Sequence, residues 1–153
     1  MNFLELKVPP VLCAVIFGIF IRLINLLLPG LDFNLPFQKT ITSILTIGGG
    51  IISATGLATF FLAKTTVNPL SFKKVTSLVD KGIYKFSRNP IYAGLLSVLT
   101  GWWYLSPNII SLLLIPGFVL YINRFQILPE ETILESIFGE EFVKYKARVR
   151  RWL

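Results

Sequence analysis

The sequence contains no histidine and only one cysteine among its 153 residues. The absence of histidine excludes Ser-His-Asp triads, histidine general bases and most zinc or haem sites, because each depends on an imidazole. Cys13 has no second thiol within the chain, so no internal disulfide is possible and the residue is expected to pack as a small hydrophobe. We therefore predict no metal site and look for chemistry among the carboxylates, guanidinium groups, amides and tyrosines.

Acidic residues are also scarce, with 8 against 15 basic ones, for a net charge of +7. Nucleic-acid binding is one explanation of such a charge, but basic residues that border apolar segments are typical of membrane proteins, whose positive loops stay in the cytoplasm. The basic residues gather in the central loop at 64–90 and in the tail, at Lys64, Lys73, Lys74, Lys81, Lys85, Arg88, Lys144, Lys146, Arg148, Arg150 and Arg151. This distribution predicts that the central loop and both termini are cytoplasmic, and we expect no nucleic-acid partner.

Long apolar stretches are abundant. The chain is 54% hydrophobic with a mean hydropathy of +0.69, and a helix needs roughly 20 residues to cross the hydrocarbon core. We predict an all-α, multi-pass protein of the cell (inner) membrane, one domain over 1–153, with four transmembrane helices at about 9–28, 41–63, 90–105 and 108–128. Glu5 argues against a signal peptide, and Arg22 and Asn25 in the first span have no explanation beyond snorkelling.

Three further segments have recognisable patterns. Small residues spaced by four in the second span, Gly50, Ala54 and Ala58, with Gly49 and Ser53 beside them, predict close helix packing, within the chain or between protomers of an oligomer. In the central loop, Phe72, Val75, Leu78 and Val79 predict a short amphipathic helix before a turn at Gly82. After a helix break at Pro129, an apolar stripe predicts an amphipathic helix over 129–151 that lies along the cytoplasmic interface; the stripe consists of Leu134, Phe138, Phe142, Tyr145, Val149 and Trp152.

The short Ser-Pro-Asn turn at 106–108 predicts that the third and fourth spans form an antiparallel pair. Counting outward at 1.5 Å per residue places position 124 level with position 90, so distant polar residues should meet at one end of the pair. The predicted cluster is Tyr84, Arg88, Asn89, Tyr92, Arg124, Gln126, Glu130 and Glu131. Each member also has an ordinary explanation as a helix start, a first-turn acid, a snorkelling arginine or an interfacial tyrosine. Together, ionisable groups at membrane depth favour a functional site.

These residue types suit a ligand that carries both signs of charge and an apolar part. Carboxylates accept hydrogen bonds from an ammonium group or ribose hydroxyls, arginine binds a carboxylate through paired hydrogen bonds, and a tyrosine face attracts a sulfonium. S-adenosylmethionine would use all of these groups, although residue types alone do not identify it.

Three segments, "TTVNP" at 65–69, "SLVDKGIYKFSRNPIYAG" at 77–94 and "NRFQILPEETILESIFGEEFVKYKARVRRWL" at 123–153, cover about half of the chain. In order and spacing the sequence resembles the isoprenylcysteine carboxyl methyltransferase and phospholipid methyltransferase family of integral membrane enzymes. The resemblance implies methyl transfer from S-adenosylmethionine, bound in a cytoplasmic pocket, to a lipid-soluble acceptor. It also implies that one wall of the cofactor pocket is built by Gly82, Tyr84, Arg88, Asn89, Pro90, Tyr92 and Gly94, and the other by Glu130 and Glu131.

One departure from the family pattern is Asn89, where many relatives carry histidine. An amide still donates and accepts hydrogen bonds, so cofactor binding is retained while a proton-transfer role at this position is not. The candidate catalytic residues are Glu131, as a base for an amine acceptor, and Arg124, as a guide for an anionic acceptor group or the cofactor carboxylate.

Two other functions remain open at this point. Membrane sterol and steroid reductases have a similar carboxy-terminal region and use a nicotinamide cofactor, but they are longer. A non-catalytic membrane module is the second. The acceptor is also open among isoprenylated cysteine, a phospholipid amine, a quinone-like lipid and a small hydrophobic metabolite.

Overall fold

A computed structural model describes residues 5–63 and 77–152. These residues are helical or irregular and contain no strand, which confirms the predicted all-α class. The helices are α1 (Pro10–Leu27), α2 (Gln38–Leu62), α3 (Pro90–Leu105), α4 (Leu114–Ile122), α5 (Leu128–Phe138) and α6 (Glu140–Arg148). Short 3-10 helices lie at Pro29–Leu31, Gly82–Lys85 and Ser111–Leu113, and Asn123–Ile127 forms a π-helix.

Three helical segments of the described chain are long and apolar enough to cross a membrane, namely Pro10–Leu27, Gln38–Leu62 and Ser111–Phe138. The third consists of a 3-10 turn, α4, the π-helix and α5 without a gap. Helix α3, which was expected to be the third of four spans, has 16 residues and a length of about 24 Å, so it is shorter than the hydrocarbon core.

Helices α2 and α3 pack backbone to backbone, because small residues line the contact. A Cβ atom added to Gly94 would collide with Ser53 and with the carbonyl of Gly49, and one added to Gly56 would lie 2.9 Å from Ile91. The predicted close packing of this span is therefore confirmed, and it is made by Gly49 and Ser53 of the predicted set. A Cβ at Gly50, which was expected to be in contact, would meet nothing within 4 Å.

The main core lies where α1, α3 and α4 meet. Ile21, Phe118, Ile122 and Ile127 are almost completely buried there, with Leu99 of α3 beside them. The ring of Phe17 meets that of Phe118 edge-on, with the centroids 5.5 Å apart. This packing holds the start of α3 and the start of α5 in fixed positions relative to each other.

A cluster of polar side chains lies at the bend between α3 and α4. We call this cluster the turn network; it consists of Asp32, Trp103, Asn108 and Ser111. Asn108 is fully buried, and its side-chain amide donates to Leu28 O at 2.9 Å and to Asp32 Oδ1 at 2.7 Å. Nearby, Asn25 is buried and its Nδ2 donates to Ser106 O at 2.5 Å. This contact explains a polar residue in the first span that the sequence alone left without a partner.

The carboxy-terminal region differs from the prediction at Pro129 and agrees with it at Gly139. Pro129 does not break the helix, because the chain passes from α4 through the π-helix directly into α5. The interruption lies at Gly139, which the sequence had marked as a candidate break in the tail helix, and its φ of +52° is a left-handed value that favours glycine.

The apolar stripe of the tail packs inside the protein rather than along the membrane interface. Phe142, Tyr145 and Val149 are buried together against Leu78, Leu134 and Phe138. The chain around Leu78 therefore covers the face that the sequence pattern assigned to the membrane. The rest of the predicted amphipathic helix, with Phe72 and Val75, and the "TTVNP" segment lie outside the described residues.

Candidate active site

A cavity of about 400 Å³ opens between the amino-terminal ends of α1, α3 and α5 and the carboxy-terminal half of α2. Its walls are mostly apolar, and its polar groups gather on the side formed by α3 and α5. The lining residues are Pro10, Val11, Ser53, Ala54, Leu57, Phe60, Ser77, Leu78, Val79, Tyr84, Arg88, Asn89, Ile91, Tyr92, Leu95, Glu130, Glu131, Leu134, Phe142 and Tyr145.

Consecutive glutamates at the start of α5 have different partners. Tyr92 on α3 donates its hydroxyl hydrogen bond to Glu130 Oε1 at 2.6 Å. Glu131 lies between two arginines, with Arg88 Nη2 at 2.8 Å from Oε1 and Arg151 Nη2 at 2.7 Å from Oε2. No ion pair of Glu130 occurs among the described residues. Glu130 is thus the carboxylate at this cavity that lacks a basic partner in the described chain.

The extended tail at 149–152 lies against the start of α3. Asn89 donates its Nδ2 hydrogen bond to Arg151 O at 2.9 Å, and the backbone N–H of Arg88 donates to Arg150 O at 2.9 Å. Arg88 Nη1 also donates to the carbonyls of Lys146 and Val149. The Arg-Asn pair that opens α3 therefore holds the tail as well as lining the cavity.

One nitrogen of Arg88 is left over. Its Nε atom is buried and has no hydrogen-bond partner among the described residues. A buried guanidinium nitrogen without an acceptor is uncommon, because desolvation without a hydrogen bond carries a free-energy penalty. Arg88 lines the cavity, but this nitrogen has almost no accessible surface, so it is an unpaired polar atom within the described part of the fold and does not face the cavity.

Two tyrosines outside the membrane-spanning helices complete the polar side. Tyr145 donates its hydroxyl hydrogen bond to the carbonyl of Tyr84 at 2.8 Å, and the Tyr84 ring meets Phe60 edge-on. Burial raises the pKa of both phenols above the ordinary tyrosine value, so both stay protonated at neutral pH. They offer aromatic faces and neutral hydroxyls to the cavity.

Most of the predicted cluster is brought together, but two members are not. Tyr84, Arg88, Asn89, Tyr92, Glu130 and Glu131 all line the cavity. Arg124 pairs instead with Glu5 at 2.8 Å and is half exposed, and Gln126 donates to Val8 O at 2.9 Å. Both belong to the π-helix and contact the amino-terminal segment rather than the cavity.

The predicted glycines and proline have supporting positions. Gly82 has a φ of +60° and begins the 3-10 turn that carries Tyr84, which confirms the predicted turn. Pro90 is the first residue of α3, and Gly94 lies in the close contact with α2. None of the three is among the residues that line the cavity.

Sequence reasoning missed several residues of the site. Phe60, Leu57 and Ser53 come from α2, which was considered only for its small-residue packing. Arg151 was counted as part of a basic tail, and no local signal indicates that it reaches Glu131, 20 residues away. Only the three-dimensional packing of the tail reveals this contact.

Of the comparisons with known proteins, the match to a family model identifies the family. The family model for phospholipid methyltransferases matches residues 37–141, which is more than half of the chain. A protein of Haemophilus influenzae described as an uncharacterized protein is 48% identical over 63 residues, which are 41% of this chain and all of that protein. No solved structure matches.

Proposed function

Because the chain belongs to the phospholipid methyltransferase family, we propose that it transfers a methyl group from S-adenosylmethionine to a lipid-soluble acceptor. Membership of this family supports a methyltransferase bound to a membrane, and the three long apolar helices agree with it. The observation that carries the proposal is the cavity with apolar walls and one polar side, where Glu130, Arg88 and the tyrosines converge.

The residues present suit the methyl donor. Glu130, which has no basic partner in the described chain, would accept hydrogen bonds from an ammonium group or from ribose hydroxyls. The positive charge of Arg88, which lines the cavity, would attract the carboxylate of the donor. The faces of Tyr84 and Tyr92 would lie beside a cationic sulfur. S-adenosylmethionine supplies an activated methyl group on a sulfonium.

Catalysis would then depend on alignment in a pocket poor in water, which contributes roughly 7–11 kcal/mol at best. A carboxylate acceptor needs no base. An amine acceptor must lose a proton, and Glu130 suits this role better than Glu131, because two arginines already hold Glu131. Arg124 forms an ion pair with Glu5 and is not among the residues that line the cavity, so it has no role at the reacting atoms in this proposal.

The acceptor would enter through the apolar walls of the cavity. Val11 on α1 has 59% of its surface exposed, and Leu57 on α2 is also exposed, so both sides of this opening are suitable for contact with lipid chains. We propose that the polar side faces the cytoplasm together with both termini, as the distribution of basic residues indicates. We also propose one domain with four spans, in which the short α3 is the additional one.

The proposal is tested with the purified full-length protein in detergent. Calorimetry with S-adenosylmethionine should show binding, and incubation with a labelled methyl donor and a native lipid extract should label one lipid class. NADPH should not bind. Absence of both donor binding and labelling would contradict the proposal, and binding of NADPH alone would favour a reductase.

A further inference from the structure

The polar side of the cavity depends on a residue that does not line it. We propose that Arg151 is a positioning residue for methyl transfer, acting through Glu131 and the start of α3. This inference rests on the proposed function. The role proposed for Arg151 is to fix the positions of the two glutamate side chains relative to α3.

The contact between Arg151 and Glu131 has the geometry of a two-pronged ion pair. Arg151 Nη2 lies 2.7 Å from Oε2 of Glu131, and Nε lies 3.3 Å from Oε1. Glu131 is only 7% exposed, whereas the Arg151 side chain is 33% exposed. Paired hydrogen bonds from a planar guanidinium fix the orientation of a carboxylate, which a single point charge does less well.

The same residue also contacts α3 through its backbone. Arg151 O accepts from Asn89 Nδ2 at 2.9 Å and lies 3.4 Å from Ser87 Oγ. Arg151 therefore joins α5, through its side chain, to the first residues of α3, through its carbonyl. Tyr92 and Glu130, which meet at 2.6 Å, lie on these two helices.

Loss of the Arg151 side chain would leave Glu131 with Arg88 as its one remaining arginine. The carboxylate of Glu131 would then be held through Oε1 alone, and the neighbouring Glu130 would lie beside a less compensated negative charge. Small displacements of reacting groups reduce turnover strongly, by about 10²-fold for a shift of 1 Å. The expected effect is therefore on the rate of the bound complex rather than on donor affinity.

The neighbouring Arg150 provides a matched control. Its side chain is exposed, and its contribution to the tail is the backbone carbonyl that accepts from Arg88 N–H, which a side-chain substitution retains. Arg150→Gln removes the same charge, one residue away. A general effect of the basic tail would appear equally in Arg150→Gln and Arg151→Gln, whereas positioning would appear only in the second.

The experiment measures kcat and the KM for labelled S-adenosylmethionine in the full chain, with native lipid extract in excess, and donor affinity by calorimetry. For Arg151→Gln we expect kcat to fall about 30-fold, with KM and affinity within about threefold of wild type. Arg151→Lys keeps the positive charge but not the planar guanidinium that makes two hydrogen bonds, so it should recover only part of the rate. Arg150→Gln should match wild type.

Three outcomes would overturn the inference. Equal kcat values for Arg151→Gln and Arg150→Gln would show that the Arg151 side chain does not position the reacting groups. A lowered unfolding temperature of Arg151→Gln, with unchanged kcat below that temperature, would show a purely structural role. Absence of donor binding and labelling in wild type would remove the proposed function and this inference with it, whereas the first two outcomes leave the proposed function intact.

Discussion

The two ends of the helix pair formed by α3 and the Ser111–Phe138 helix both contain buried polar residues, but they differ in what surrounds them. In the turn network, the side chain of Asn108 takes part in four hydrogen bonds, donating to Leu28 O and Asp32 Oδ1 and accepting from the backbone N–H groups of Ile110 and Ser111. Its own carbonyl accepts from Trp103 Nε1 at 3.2 Å. At the opposite end, the polar groups border a cavity of about 400 Å³.

This difference separates a structural network from a binding site. A buried amide whose donors and acceptors are all matched fixes one chain path and leaves nothing for a ligand. The cavity end has a carboxylate without a basic partner, Glu130, and an unpartnered nitrogen of Arg88 within the described chain. Unused hydrogen-bonding capacity alone does not mark a site, because Asn25 Oδ1 beside the turn network is also buried without a partner in the described chain. It indicates a binding site where it borders a cavity, as at Glu130.

The largest effect on stability is expected from Asn108→Ala. The change removes the fully buried Asn108 side chain, which is the partner of the Leu28 carbonyl, Asp32 and the N–H groups of Ile110 and Ser111. Leu28, Asp32 and Ile110 are partly exposed and can bind water, so the free energy of unfolding should fall by about 2 kcal/mol. Denaturation in mixed detergent micelles measures this change. Donor affinity, measured at a temperature where the variant is folded, should not change.

Asn34→Ala is the control for this variant, because Asn34 is an exposed residue close to Asp32 in sequence. It should be as stable as wild type. A loss of donor affinity in Asn108→Ala would mean that the turn network and the cavity end of the helix pair are not separate in function.

An intermediate effect, at the other end, is expected from Glu130→Gln. An amide cannot carry the negative charge that the carboxyl can offer to a cationic donor, so the affinity for S-adenosylmethionine should fall about tenfold, which corresponds to about 1.4 kcal/mol. The free energy of unfolding should change by less than about 1 kcal/mol, since the amide oxygen can still accept from Tyr92. Calorimetry and denaturation measure the two quantities.

The exposed Glu140 on α6 provides the matched control, as Glu140→Gln removes the same charge far from Tyr92. Its donor affinity should equal that of wild type. Unchanged donor affinity in Glu130→Gln would contradict the proposed contact between Glu130 and S-adenosylmethionine.

The smallest effect is expected from Ser97→Ala, away from both ends. Ser97 Oγ donates to Leu45 O at 2.8 Å between α3 and α2, and hydrogen bonds between helices in membranes average about 0.6 kcal/mol. Denaturation should therefore show a loss of about 0.6 kcal/mol with no change in donor affinity. A loss above about 2 kcal/mol would indicate that α3 depends on this bond far more than on its glycine contacts.

The meeting of Arg88 and Tyr92 with the α5 glutamates was predicted, but for a reason that is wrong. Counting along the antiparallel pair placed position 124 level with position 90, and the glutamates were expected to fold back at a break at Pro129, whereas the chain there is continuously helical. The start of α3 at Pro90 and the turn at Gly82 were predictable from local sequence. Proline favours the first position of a helix, and glycine adopts the left-handed φ that a turn requires. The error over Arg124 has a local cause too. A π-helix widens the turn that carries Arg124, and nothing in the pattern of apolar residues indicated one.

The tail could not be assigned from its pattern for a different reason. An apolar stripe on a helix fits a membrane surface or a protein surface equally well, and the sequence does not say which is available. In the structure, Leu78, Leu134 and Phe138 offer a protein surface, and Phe142 and Tyr145 pack on it. The contact between Arg151 and Glu131 follows from that packing, so it was beyond the reach of sequence reasoning as well.

The π-helix at Asn123–Ile127 has a consequence for how this chain tolerates insertions and deletions. Each residue of a regular helix advances the chain by about 100° around the axis, so deleting one residue here would turn α5 by about that angle relative to α4. Glu130 and Glu131 would leave Tyr92 and Arg88, although the apolar length of the segment would hardly change. A one-residue change in length should therefore be far less tolerated at 123–127 than in the exposed connection around Asn34, even though neither position touches the cavity.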